Sequence, residues 1–204
     1  MNPRPYNSRS REAAAEETRK RIVHATVALH AENGVLGTSH EMIARRADVS
    51  LPTVYKYFPT RNDLVPHCTG LVMGEAPVQL DAAIFGTKAD VQSRLRLLAR
   101  RIFAFHEYAA PWMRWSARDA TELPALQAML NEAASARAML IREALSPTFD
   151  RHPPRRLVSL SSVLLDFPSW QTLVESGLTS KGAASAVGEA LVSLYSTTQK
   201  EKQR

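Results

Sequence analysis

The segment over residues 38–64 restricts the fold of this chain more than any other part of its sequence. Thr38 and Glu41 have the spacing of a capping box, in which a hydroxyl and a carboxylate satisfy free backbone N–H groups. A helix is therefore expected to begin at Thr38 or Ser39. Asp48 then favours a tight turn, because aspartate tolerates left-handed backbone better than most residues other than glycine. The segment thus predicts a short helix followed at once by a turn.

A second helix is predicted directly after this turn. Ser50 is a good N-cap, and Pro52 falls in the first helical turn, where its missing N–H costs nothing. Pro59 ends the helix at about Tyr57 or Phe58. Two short helices joined by a tight turn are typical of a helix-turn-helix, whose second helix enters the major groove of DNA.

The second helix carries side chains that suit DNA better than catalysis. Val54 and Phe58 are four residues apart and are expected to anchor the helix inward. A cation, hydroxyl groups and aromatic surface then face outward or sideways, and these groups suit phosphates and base edges. The alternative is that the tyrosines only pack and the lysine is a solvated charge, but the flanking sequence favours DNA. The outward residues are Thr53, Tyr55, Lys56 and Tyr57.

The charge of the chain is compatible with nucleic acid. Its 204 residues carry a net charge of +6, with a pI of about 9.8. The excess is spread evenly, since residues 1–70 hold 10 Lys and Arg against 7 Asp and Glu, and residues 71–204 hold 16 against 13. The argument for DNA must therefore rest on where the charges lie.

Cysteine usage and hydropathy indicate a soluble, intracellular protein. The single cysteine, Cys68, excludes an internal disulfide and a Cys-rich zinc site, and it fits a reducing compartment. The first twenty residues lack the apolar core of a signal peptide, and no run approaches the ~20 apolar residues of a membrane span. We therefore expect a cytoplasmic protein with no metal, no cofactor and no membrane partner.

Helical periodicity extends over the rest of the chain, and the absence of a convincing strand pattern predicts an all-α fold. Residues 1–12 are expected to form a mobile basic arm, residues 13–65 a three-helix DNA-binding domain, and residues 66–204 a larger helical domain. A long apolar stripe of that larger domain is expected over Val91, Leu95, Leu98, Ile102, Phe105 and Ala109, and Pro111 is expected to interrupt it. Helices are expected over about residues 13–33, 122–145, 155–175 and 180–197.

An enzyme is the main competing class of protein. The sequence contains no Gly-rich phosphate loop, HExxH or GxSxG, and we name no catalytic residue. A DNA-binding protein of purely architectural function is a second alternative, but it would not need the large helical domain.

The first third of the chain resembles the TetR family of bacterial transcriptional regulators. The resemblance covers residues of about 18–65, whereas the remainder matches only in length and helical layout. It implies a homodimer that binds a near-palindromic operator in double-stranded DNA and usually represses transcription. The matching residues are Asn33-Gly34, Ser39-x-x-x-Ile43-Ala44, and Val49-Ser50-x-x-Thr53-Val54-Tyr55-x-Tyr57-Phe58-x-x-Arg61-x-x-Leu64.

The resemblance also implies a set of DNA contacts, with two departures from the family pattern. Asp48 stands where the turn commonly holds glycine, and it adds a negative charge near the DNA side. Leu51 opens the second helix and cannot donate a hydrogen bond, so any base readout there would be apolar. The expected contacts are Ser39, Ser50, Leu51, Pro52, Thr53, Tyr55, Lys56, Tyr57 and Arg61.

A small-molecule effector of unidentified structure is expected to bind the larger domain and release the DNA. An aromatic and methionine-rich cluster is the best candidate for its pocket, with plain core packing as the alternative. Four arginines over residues 94–101 would suit an anionic effector, although a solvated helix face explains them better. The candidate pocket residues are Phe103, Phe105, His106, Trp112, Met113, Trp115 and Met129.

The last two predicted helices are expected to form the homodimer interface. Two copies of an antiparallel helix pair make a four-helix bundle about a two-fold axis. The alternative is that these apolar residues belong to the chain's own core. The candidate interface residues are Leu160, Leu164, Phe167, Val187, Leu191 and Leu194.

Overall fold

The computed structural model describes residues 8–87, 90–149 and 152–202. These residues form nine α-helices, one short 3-10 helix over Ala82–Phe85 and no strand, which confirms the all-α fold class. No helix among them is long and apolar enough to cross a membrane. The helices are α1 Ser8–Asn33, α2 His40–Ala47, α3 Leu51–Tyr57, α4 Arg61–Gly74, α5 Val91–Asp119, α6 Pro124–Phe149, α7 Arg155–Leu164, α8 Phe167–Glu175 and α9 Ser180–Lys202.

The chain forms two compact units. The first unit comprises Met1–Glu75 and Arg114–Ala128, and the second comprises Ala76–Met113 and Met129–Arg204. This division differs from the boundary expected after residue 65. The end of α5 and the start of α6 belong to the first unit, so these two helices each contribute residues to both units.

The core of the first unit is formed by α1 to α4. Here α1 packs against α2 and α4, and α2 packs against α3. Val54 and Phe58 are both buried, which confirms that they anchor the second short helix inward. The buried side chains of this core are Ile22, Ala25, Leu29, Ile43, Ala44, Ala47, Val54, Phe58, Leu64 and Cys68.

The core of the second unit is one apolar cluster to which α5 to α9 contribute. Both α7 and α8 pack against α9. Along α5 the predicted apolar stripe faces this core, which is confirmed for Val91, Leu95, Leu98, Ile102 and Ala109, while Phe105 is half-buried.

The start of α1 differs from the sequence prediction. Residues 1–7 of the predicted arm lie outside the described residues, but Ser8–Asn33 is one continuous helix. Residues 12–17 consist of alanine and glutamate, which are strong helix formers. The helix they favour extends into the residues before them, so residues 8–12 are not an arm.

Pro111, which is expected to interrupt the apolar stripe, does not interrupt the helix, because it lies inside α5 and the helix continues to Asp119. A proline removes one backbone donor, and the other hydrogen bonds of so long a helix offset that loss. Beyond the proline, Trp115 and Asp119 bind backbone groups of the first unit, which stabilises the last turns.

The single helix predicted over residues 155–175 is divided into α7 and α8. Asp166 begins α8 as its N-cap, with Oδ1 accepting a hydrogen bond of 2.9 Å from the backbone N–H of Phe167. Pro168 occupies the first turn, where it needs no donor. The local sequence Asp-Phe-Pro therefore starts a new helix.

Candidate nucleic-acid interface

The N-terminus of α2 is capped by Ser39. Its hydroxyl accepts a hydrogen bond of 3.3 Å from the backbone N–H of Met42. The predicted capping role of Thr38 is wrong, because its buried hydroxyl instead donates to the carbonyl of Gly34 at 2.8 Å. Ser39 is half-buried at the first turn of α2, and a helix N-terminus favours anions such as phosphate.

The turn between α2 and α3 depends on Asp48. Its backbone is left-handed, with φ of 52° and ψ of 55°, and it is the only non-glycine residue with positive φ among the described residues. The next N–H, that of Val49, bonds the carbonyl of Ala44 at 3.0 Å and closes the end of α2. Left-handed geometry costs an L-residue about 1–2 kcal/mol, and somewhat less for aspartate. The turn thus forms without glycine, but under strain.

Ser50 and Thr53 form a hydroxyl pair at the start of α3. Ser50 is the N-cap and accepts a hydrogen bond of 3.3 Å from the backbone N–H of Thr53. Their two side-chain oxygens are 2.7 Å apart, so one hydroxyl donates to the other. One O–H hydrogen of the pair stays available to an outside acceptor, such as a DNA phosphate.

Tyr55 is held by a histidine that the sequence analysis did not single out. Its ring is 45% exposed and stacks on His40, with centroids 4.5 Å apart and planes at 5°. The buried His40 donates from Nε2 to the carbonyl of Phe58 at 2.9 Å. No sequence signal points to this pairing, because the two rings lie on different helices. His40 therefore orients Tyr55 before any ligand arrives.

The other α3 candidates differ in exposure. Lys56 and Pro52 are exposed, and the Lys56 Nζ lies 5.9 Å from the ring centroid of Tyr57. Tyr57 and Leu51 are half-buried and pack against the first unit's core. Leu51 thus contributes to anchoring α3, which leaves less of its surface for contacts with bases.

Arg61 makes a hydrogen bond within the chain. Its Nε donates to the carbonyl of Thr38 at 3.1 Å, which ties the start of α4 to the loop before α2. The predicted cap of α4 is confirmed, since Thr60 and Asp63 form a complete capping box. Hydrogen bonds from Thr60 lower the pKa of Asp63. The serine caps of α2 and α3 and this fixed start of α4 all belong to the first unit.

Asp119 fastens the loop that leads into α2. Its carboxylate is fully buried, and Oδ2 accepts hydrogen bonds from the backbone N–H groups of Val35 at 2.6 Å and Leu36 at 3.2 Å. Oδ1 accepts from Nε of Arg118 at 2.7 Å. Trp115, one turn earlier, donates from Nε1 to the carbonyl of Ala31 at 3.2 Å. The end of α5 is therefore part of the first unit.

The candidate pocket residues are not all brought together. Trp115 belongs to the first unit, where it bonds Ala31, whereas the other six belong to the second unit. Phe103 and His106 are buried in that unit. The four that are half-buried are Phe105, Trp112, Met113 and Met129.

The candidate dimer residues fall into two groups. Phe167, Val187 and Leu191 are buried in the core of their own chain, which leaves them no surface for a second copy, and the expectation is corrected for these three. Their helices pack on that core because a single chain already covers this apolar face. Leu160 is exposed, and Leu164 and Leu194 are half-buried.

Comparison with known proteins points to one family. Residues 22–68 match the family described as bacterial regulatory proteins, tetR family. The HTH-type transcriptional repressor KstR of Mycolicibacterium smegmatis is 34% identical over 70 residues, which cover 34% of this chain and 34% of that protein. KstR of Mycobacterium tuberculosis is 28% identical over 159 residues, covering 72% of this chain and 68% of that protein. KstR of Rhodococcus jostii is 42% identical over 52 residues, which cover 26% of this chain and 24% of that protein. The chain thus spans about a third of the M. smegmatis relative and about a quarter of the R. jostii relative.

Solved structures share the fold. A protein described as a transcriptional regulator, SCO7518 of Streptomyces coelicolor A3(2), superposes with a TM-score of 0.60 at 20% identity, covering 87% of this chain and 98% of that one. The multidrug binding protein EbrR in complex with ethidium gives a TM-score of 0.57 at 18% identity, covering 87% of this chain and 97% of that one. Identities this low establish a common fold and nothing further.

Proposed function

We propose that this chain, which belongs to the TetR family of bacterial regulatory proteins, represses transcription by binding operator DNA through its first unit. The main support for the proposal is the arrangement of buried and exposed side chains on α3. This helix of seven residues has Val54 buried beneath it, Phe58 buried at its end, and Tyr55 and Lys56 exposed. A short helix with two inward anchors and an exposed cation and phenol suits insertion into a major groove.

The proposed contacts are made mainly to phosphate groups and less to base edges. The hydroxyls of Ser39, Ser50 and Thr53 lie at helix N-termini, where backbone N–H groups also favour anions. Lys56 adds a positive charge that reaches either a phosphate or a guanine edge. Leu51 offers only apolar contact. Affinity should therefore depend strongly on salt concentration, because phosphate contacts release bound counterions.

The regulator is proposed to bind a palindromic operator as a homodimer in the cytoplasm. Leu160 and Val163 of α7 are 40% and 64% exposed, and their spacing of three residues places them on one helix face. Such a face would be covered by its counterpart on a second copy, as a two-fold interface requires. This surface replaces the buried residues expected from the sequence.

A small-molecule effector is proposed to bind the second unit and weaken operator binding. A fold relative, EbrR, has been crystallised with ethidium, which supports a small-molecule site on this architecture. The route to the DNA would be α5, which begins in the second unit and ends with Asp119 in the first. A coupling of about 1–3 kcal/mol changes operator affinity roughly 5–150-fold.

Footprinting on DNA next to the gene, with and without small molecules, tests this function. A regulator protects a defined palindromic site, and an effector removes the protection. Uniform protection at all sequences would indicate an architectural protein, and no protection at low salt would leave the competing enzyme class. Family membership favours the regulator over the enzyme.

A further inference from the structure

Three buried polar atoms of the second unit have no hydrogen-bond partner, and their residues all lie near one corner of the fold, the turn between α7 and α8. They are Nδ1 of His106, Oγ of Ser161 and Nε of Arg137, and among the described residues only one other buried side-chain atom, on Gln199, shares this property. Buried polar atoms are nearly always hydrogen-bonded, so each exception requires an explanation. Three exceptions on residues near one turn therefore need a common explanation.

The corner is the turn between α7 and α8. Nε2 of His106, from α5, donates to the carbonyl of Leu165 at 3.0 Å. Nη2 of Arg137, from α6, lies 3.1 Å from Oδ1 of Asp166. Ser161 lies one helical turn before Leu165 on α7, and its carbonyl accepts the N–H of Leu165 at 3.0 Å. Three helices thus each bring to this turn one residue that carries an unpartnered polar atom.

Aromatic side chains surround His106. The ring of Phe167 meets His106 edge-on, with centroids 5.6 Å apart, and Phe103 and Trp170 lie at 5.9 Å and 6.3 Å. The indole N–H of Trp170 is already bonded to Oγ of Ser180 at 3.0 Å. These aromatic neighbours therefore leave Nδ1 of His106 without a hydrogen-bond partner, and any polar specificity rests with the three unpartnered atoms.

The charges at the corner are balanced. A carbonyl only accepts, so the proton of the His106 ring is on Nε2, and Nδ1 is a bare acceptor because burial lowers the pKa of His106 to about 4. The positive charge of Arg137 is neutralised by Asp166. The corner needs one hydrogen-bond donor for Nδ1 and one acceptor for Arg137 Nε, with no net charge.

We propose that His106, Ser161 and Arg137 bind the hydroxyl group of an uncharged, predominantly apolar effector, such as a phenol or an alicyclic alcohol. A hydroxyl is both donor and acceptor, which is what the corner lacks. A carboxylate would face the lone pair of Nδ1 and an arginine already paired, after losing its own hydration. This inference rests on the proposed regulatory function and names the chemical class of its effector.

Calorimetry on the full chain without DNA tests the effector class with three naphthalenes. We expect 2-naphthol to bind at least about ten-fold more tightly than 2-methoxynaphthalene, which cannot donate, and than 2-naphthoate, which is charged. Undetectable 2-naphthol binding, or tighter binding of the naphthoate, would overturn the proposal. Because no DNA is present, operator footprinting succeeds or fails independently, so failure of the effector class is distinguishable from failure of the regulatory function.

Two neighbouring serines provide a matched pair of variants. Ser161→Ala should weaken 2-naphthol binding by about 2- to 10-fold, the effect of one hydrogen bond. Ser162→Ala should not, because that hydroxyl already donates to the carbonyl of Val158 at 2.9 Å. Equal effects of the two variants would contradict the assignment.

The same pair has a second readout in the absence of any ligand. Ser161→Ala removes an unpartnered buried hydroxyl and should raise the melting temperature by about 2–4 °C, whereas Ser162→Ala should not raise it. A lower melting temperature for Ser161→Ala would show that its hydroxyl is bonded in the free protein and would overturn the proposal.

Discussion

The carboxylate of Asp119 accepts a hydrogen bond of 2.6 Å from the backbone N–H of Val35, 84 residues earlier in the chain. This bond joins the end of the long helix α5 to the loop that positions α2. A buried carboxylate with several N–H partners is stable only where those partners stay in place. The bond therefore makes the position of α2 depend on α5.

Asp119→Asn should destabilise the first unit by about 1–3 kcal/mol, because an amide cannot accept every N–H that the carboxylate accepts. Burial raises the pKa of Cys68 to about 12, so this thiol in the same unit reacts only after unfolding. Thiol labelling against urea concentration measures the effect. Glu122→Gln, at an exposed position near the same helix end, is the control. Equal midpoints for the two variants would rule out the role given to Asp119.

Gly34→Ala extends this prediction to the loop itself. Gly34 has φ of 76°, and an added Cβ would lie 2.6 Å from Oδ2 of Asp119. We expect a loss of at least about 1 kcal/mol from the backbone alone. The loss should be smaller when Asp119 is also alanine, because the contact with Oδ2 is then absent, although Nη2 of Arg118 at 2.8 Å still lies close to the added Cβ. A double-mutant cycle by urea unfolding measures that coupling, and strict additivity would contradict it.

Asp48→Gly should strengthen both the fold and the binding of DNA. Relief of left-handed strain is worth about 1–2 kcal/mol and the added chain entropy costs about 0.4–1 kcal/mol, so stability should rise by roughly 0.5 kcal/mol. Removal of a negative charge should raise operator affinity about 2- to 5-fold at low salt. Asp48→Asn is the matched control, since it removes the charge and keeps a residue that tolerates this backbone. Gel shifts in which Asp48→Asn binds no better than the unmodified chain would contradict the charge effect.

Acid should destabilise both units through their buried histidines. Burial lowers the pKa of His30 and of His106 from 6.5 to about 4, with Arg61 adding to the effect at His30 and Asp119 opposing it. The unfolded chain therefore binds more protons between pH 4 and 6.5. The stabilisation is complete above pH 6.5 and is lost as the pH falls toward 4, by up to roughly 3 kcal/mol for each histidine.

Urea unfolding at several pH values across this window checks the histidine prediction. His30→Gln and His106→Gln should each flatten the pH dependence. Carboxylates with a lowered pKa, such as Asp63, add to the acid effect near pH 4, and this contribution is common to the unmodified chain and the histidine variants. A histidine variant with the full pH dependence of the unmodified chain would show that its ring is not responsible.

Val163→Glu should shift the protein from dimer to monomer without unfolding it. The side chain is 64% exposed in the single chain, so a charge there disturbs no core but would be buried in the proposed interface. Met139→Glu is the matched control, with 63% exposure on α6. Sedimentation should give a monomer for Val163→Glu and a dimer for Met139→Glu. A dimer for both variants would remove α7 from the interface.

The sequence predicted those features that depend on near neighbours. Ser50 and the Thr60–Asp63 box act within three residues, so their spacing alone revealed them. The capping prediction failed for Thr38, because its hydroxyl donates to the carbonyl of Gly34 and does not cap α2. Its carbonyl accepts a hydrogen bond from Arg61. Capping signals are therefore dependable only where no distant group competes for the same side chain.

Features that depend on distant partners could not be predicted. His40 supports Tyr55 from another helix, and Asp119 reaches Val35 across 84 residues, so neither leaves a local pattern. Apolar periodicity showed that Leu191 is buried, but not whether its own chain or a second copy covers it. Helical spacing identifies a buried face, while the partner of that face follows only from the tertiary fold.

The central claim, that α3 binds operator DNA, is tested most directly by operator affinity as a function of salt concentration. Lys56→Ala should lower affinity and reduce the slope of log K against log salt by about 2, one phosphate contact from each copy of a dimer. Lys181→Ala, at an exposed position of the second unit, is the control and should change neither. An unchanged affinity and slope for Lys56→Ala would contradict the account.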